Sequence, residues 1–117
     1  MELCRLYGKN NPTPQKRLVM QGLKEGKNFA ALAADLNVAK ATAEVYGIDC
    51  LAAGAELDHE TIATFLDVTE ESFSVIKREI LSNEDRKLRT IRDNLGEVIT
   101  YNQIRFVIAC LIHNLEI

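Results

Sequence analysis

Tryptophan is absent from this 117-residue chain, proline and histidine occur twice each, and cysteine three times. Each scarcity excludes something. Cys4, Cys50 and Cys110 are odd in number and widely scattered, so neither a disulfide framework nor a CxxC metal site can be assembled from them. Cys50 and Cys110 fall in apolar helical faces and are expected to behave as small core residues. His59 and His113 have no Cys or His neighbour at metal-ligand spacing. His59 reads as surface, and His113 as a dipole partner at the end of the last helix.

No apolar run approaches the roughly 20 residues that span a bilayer. The opening MELCRLYGKN lacks the basic-then-apolar layout of a signal peptide. An intracellular protein with no membrane partner is the expectation. A Gly-rich phosphate loop of the Walker type is also missing. The carboxylate pairs Glu70-Glu71 and Glu84-Asp85 fall in predicted first turns, where the helix dipole accounts for them. No nucleophile, general base and oxyanion stabiliser come together. The chain is therefore expected to be no enzyme, with no cofactor, no metal and no small-molecule substrate.

What is present is a soluble-globular balance, 47% hydrophobic and 26% charged, rich in Ala, Leu and Ile. The net charge of −3 is unevenly placed. Residues 1–54 hold seven Lys and Arg against five Asp and Glu; residues 55–117 hold seven against twelve. An acidic total argues against a dominant sequence-independent grip on phosphate, but leaves room for a local basic patch.

The chain is organised around residues 28–54, NFAALAADLNVAKATAEVYGIDCLAAG. Phe29, Leu32, Ala33 and Leu36 share one helical face. Asn37-Val38 interrupts the run, and a longer Ala-rich helix resumes from Ala39 to Ala53, with Gly54 as its stop. Two helices joined by a tight turn are a helix-turn-helix, whose second helix usually reads the DNA major groove.

Before this motif, residues 1–12 read as a tail. Thr13-Pro14 opens a first helix with an N-cap and a proline in its first turn. Leu18, Val19 and Leu23 form its apolar stripe and Gly26 its end. After the motif, Asp58 caps a helix reaching about Leu66, and Thr69 starts another that presents Phe73, Ile76 and Ile80. Residues 85–95 read as an amphipathic helix ending at Gly96. Thr100 and Gln103 form a capping box that begins a last helix, apolar nearly all round and hence expected at the centre of the domain. The prediction is an all-α fold of about seven helices. It is winged-helix-like without a clear wing, and forms one domain over 13–117, with the motif in 13–54 and a helical extension in 55–117.

In the second motif helix, the small residues Ala43, Gly47 and Cys50 line one face and suit close helix packing. Ala41, Val45, Ile48 and Ala52 line the opposite face, edged by Glu44 and Asp49. A base-reading helix normally offers Arg, Lys, Asn, Gln, Ser or Thr there. Three readings stay open for this apolar face. The C-terminal helices cover it, a protein partner docks on it, or nucleic acid meets only the first turn and flanking basic residues. A separate basic candidate is Arg86, Lys87, Arg89 and Arg92, for which solvation and pairing with Glu84, Asp85 and Asp93 are the ordinary explanation.

Taken in order, LKEGKN, FAALAADLNVAKAT, AAGAELDHE and LRTIRDNLGEVITYNQIRFVIACLIH resemble one family over Thr13 to Asn114. It is the C-terminal helix-turn-helix module that follows the HRDC domain in RecQ-type helicases of the Werner kind. The resemblance implies a non-catalytic accessory module of a nuclear DNA repair or recombination protein. DNA would be engaged weakly and salt-sensitively by Lys40, Ala41, Thr42 and Glu44, with Lys24, Lys27 and Asn28 near phosphates. The chain departs from the family at Gly47, where a bulky apolar residue is usual, and in its base-poor outer face. The alternative is a protein-interaction module docking a partner through Ala41, Val45, Ile48 and Ala52.

Overall fold

The computed structural model describes residues 7, 11–83 and 87–117. Within them the chain forms seven helices and no strand: α1 (Pro14–Lys24), α2 (Phe29–Leu36), α3 (Lys40–Ala52), α4 (His59–Phe65), α5 (Glu70–Ser82), α6 (Leu88–Leu95) and α7 (Tyr101–Ile112). The fold is all-α, as the apolar periodicity predicts. None of these helices is long and apolar enough to cross a membrane.

Local chemistry sets most of the boundaries. Thr13 Oγ1 accepts from the Lys16 amide and Pro14 opens α1. Asn28 Oδ1 accepts from the Ala31 amide to start α2. Asn37 ends α2 in the left-handed region at φ 56°, a conformation that Asn tolerates better than most residues. Asp58 receives the amides of Glu60 and Thr61 at the start of α4. Reciprocal capping boxes start α5 (Thr69 with Ser72) and α7 (Thr100 with Gln103). Helix α6 begins at Leu88, later than the predicted 85; residues 84–86 lie outside the described residues.

Helix α7 is the keel of the domain. Ile104, Phe106, Val107, Ile108, Ala109 and Cys110 are all fully buried in it. Burial pushes the Cys110 thiol up to about 12, because the thiolate would have no water. The keel runs parallel to α3. Asn102 near its start donates to the Ala41 carbonyl at 3.2 Å, and His113 at its end meets the Ala52 carbonyl at 2.7 Å. Both bridges join residues 61 apart, so the two helices advance in step. His113 thus satisfies a terminal carbonyl of α3 as well as capping its own helix. Helices α5 and α6 pack on α7, while α1 and α2 pack on α3.

Close approach on the α1–α2 side depends on small residues. A Cβ at Gly47 would stand 2.7 Å from Phe29 Cε1 and 3.2 Å from Leu23 Cδ1. The Phe29 ring is itself pinned edge-on against Phe65, with centroids 5.8 Å apart. Gly22 plays the same part between α1 and α2, where a Cβ would fall 2.2 Å from Leu32 Cδ2. This alters the predicted stripe of α1. Val19 and Gly22 face inward and Leu23 is half-buried, whereas Leu18 is 57% exposed.

Replacing Gly47 by Ala sets a gain in helix propensity of about 1 kcal/mol against overpacking of about 1–3 kcal/mol. The rigid, buried ring decides for the second. Gly47→Ala is expected to lower the thermal midpoint in circular dichroism, and an unchanged or raised midpoint would show that α2 has room to retreat.

Candidate nucleic-acid interface

Helix α3 starts without the help the other motif helices receive. Its N-cap is Ala39, which has no side-chain acceptor, and its first turn has no acidic residue. Among the described helices only α6, capped by Lys87, shares both properties. An Ala in place of Ser, Thr, Asp or Asn at this position costs about 1 kcal/mol. It leaves the Lys40 and Ala41 amides open to water or to an incoming acceptor such as phosphate, while the Thr42 amide donates to the Ala39 carbonyl at 3.0 Å. Lys40 and Ala41 are exposed there and Thr42 is half-buried.

The remaining residues expected to meet nucleic acid are distributed differently. Lys24 is exposed in the last turn of α1. Lys27 Nζ lies 3.0 Å from Asp35 Oδ2, both on the surface. This hydrogen bond, and then the carboxylate charge, raise the Lys27 ammonium above its usual range. Asn28 spends its side-chain oxygen capping α2. Glu44 is drawn toward α7, its Oε1 accepting from Asn102 Nδ2 at 2.9 Å. The structure therefore brings Lys40, Ala41 and Thr42 together at an open turn, while Lys27, Asn28 and Glu44 hold internal bonds.

The outer face of α3 is not an open docking stripe. Ile48 is fully buried, Val45 and Ala52 are half-buried, and only Ala41 is exposed. The C-terminal helices cover part of this side, which is the structural reading of the apolar face. Farther round, the Tyr7 hydroxyl donates to Asp49, whose other oxygen is 3.0 Å from Lys16 Nζ. Burial first, and then the bond to Asp49, push the Tyr7 hydroxyl upward. Tyr7 packs against the core, although the sequence around it reads as a tail. Cys50 is half-buried, its Sγ donating to the Lys16 carbonyl at 3.3 Å.

The second basic candidate also divides. Arg86 lies outside the described residues; Lys87 and Arg89 are exposed; Arg92 is half-buried. The Arg92 guanidinium carbon stands 5.0 Å from the centroid of Tyr101, a cation–π pair. Asn102, Tyr101 and Arg105 are not legible from sequence as site residues, although a lone Asn in the apolar α7 is a visible signal. Arg105 Nη1 donates to Asn102 Oδ1 at 3.2 Å, so this one amide links α3, Glu44 and Arg105.

A helix pair joined at a left-handed Asn37 and backed by further helices defines the architecture. A family model described as a helix-turn-helix domain matches residues 15–108. The chain belongs to that family. No curated protein and no solved structure matches the chain.

Asn102 is buried and makes all three of these bonds with its amide. Asn102→Ala is expected to cost about 1–3 kcal/mol, read as a lower urea midpoint. An unchanged midpoint would show that the α3–α7 register is set without this side chain.

Proposed function

We propose that this chain is a non-catalytic helix-turn-helix module that engages DNA through the first turn of α3. The observation that carries the reading is the exposed, side-chain-uncapped start of that helix, bearing Lys40 and no carboxylate in its first turn. Helix-turn-helix proteins contact base edges with the N-terminal residues of the second helix, and helix N-termini accept phosphate. The covered outer face leaves this turn as the accessible part of α3. The acidic total fits a weak, salt-sensitive grip made by few cations rather than a broad basic footprint.

The narrower reading is an accessory module of a RecQ-type helicase in DNA repair or recombination, acting in the nucleus. It rests on the sequence resemblance alone. The burial of Ile48 removes the residue on which a protein-docking face would centre, so DNA engagement is the better supported role.

Lys40→Glu is the direct test, because Lys40 is exposed and its replacement leaves the core untouched. Duplex affinity at low salt should fall at least about tenfold. The salt dependence should drop by about one unit for each phosphate that the variant no longer neutralises. Equal affinity of variant and parent would remove the first turn of α3 from the interface.

A further inference from the structure

The turn between α6 and α7 carries features that the fold does not use. Val98 is 89% exposed there, and Tyr101, three residues later, is 36% exposed despite its size. The Arg92 guanidinium carbon stands over one face of the Tyr101 ring, 5.0 Å from its centroid. The Arg92 Nε is buried without a hydrogen-bond partner. Among the described residues the contact that holds its guanidinium is the Tyr101 ring, and no carboxylate pairs with it. Arg105 follows one helical turn after Tyr101 on α7.

Charge and position point the same way. Residues 87–105 hold the cations Lys87, Arg89, Arg92 and Arg105 against the carboxylates Asp93 and Glu97, an excess of cations within a chain of net charge −3. The Asn102 bond to the Ala41 carbonyl places the start of α7 beside the first turn of α3. Tyr101 and Lys40 therefore flank the same junction, each next to one of its bonded residues.

We infer that Tyr101, with Arg92 and Val98, is a stacking platform for an unpaired base next to the duplex held by α3, so that the preferred ligand is DNA with a single-stranded arm. An aromatic ring stacks any base, since every base has a π face, while nearby cations follow the backbone. Val98 supplies an apolar wedge of the kind that separates neighbouring bases. The inference rests on the DNA reading of α3 and adds a second element to it.

The test is a fluorescence-anisotropy titration of the 117-residue chain with labelled forked DNA and with blunt duplex of equal paired length. The platform predicts that the fork binds more tightly by about fivefold or more, the worth of at least one stacked base. Tyr101→Ala should erase that preference while leaving blunt-duplex affinity unchanged, and Tyr101→Phe should retain it. Val98→Asp, at a fully solvated position, should also erase it and keeps the test decisive if Tyr101→Ala destabilises the fold. Equal affinity for fork and duplex, or a preference that survives both Tyr101→Ala and Val98→Asp, would overturn the platform and leave the α3 reading standing. Absence of binding to either DNA would overturn both.

Discussion

A buried amide and a missing side chain fix α3 against its neighbours. Asn102 hydrogen-bonds both the Ala41 carbonyl and the Glu44 carboxylate. Gly47 lets the Phe29 ring come nearer than a Cβ would permit. Buried polar groups must find partners, so the amide permits few relative positions of α3 and α7. Close packing has the same effect on α1 and α2, since a core near crystal density has no slack to absorb an added carbon. The parallel α3–α7 pair follows from these constraints, and the flanking helices are arranged around it.

That arrangement also decides what α3 has left to offer. A free recognition helix would present one long side to a groove. Here Ile48 is buried, Glu44 is held by α7, and Asp49 is engaged by Tyr7 and Lys16. What remains is the first turn, where the missing side-chain cap leaves backbone donors open beside Lys40. The start of α7 lies next to it, with Tyr101 and Arg92 at its edge. On the proposed reading, a domain of net negative charge would address DNA through a small, locally basic end, with an affinity sensitive to salt.

Much of the fold is legible in the sequence because helix ends are written in short-range chemistry. Thr13-Pro14, Asp58 and the Thr100–Gln103 pair each mark a helix start that the structure contains. The nearly all-round apolar character of α7 matches its place at the centre. Periodicity fails where the answer depends on what lies opposite. It groups Leu18 with Val19, but Val19 is buried with Gly22 and Leu18 is exposed. It groups Ile48 with Ala41, but α7 lies along α3 and Ile48 is core. Tyr7 is hidden for a related reason. Its polar, turn-forming neighbours read as a tail, and its partner Asp49 is 42 residues away. Of the site, Lys40 and Thr42 are readable from the motif, whereas Tyr101 gains meaning only once Asn102 ties α7 to α3.

The central claim is that the adjoining ends of α3 and α7 form one DNA-facing surface. The most direct measurement is an amide chemical-shift titration of the isotope-labelled chain with a short forked DNA at low salt. The largest changes are expected at residues 39–42 and 97–105, with little change in α5 or in the C-terminal residues after α7. Changes centred on α1, on α5 or on the far end of α3 would contradict the claim and place the interface elsewhere.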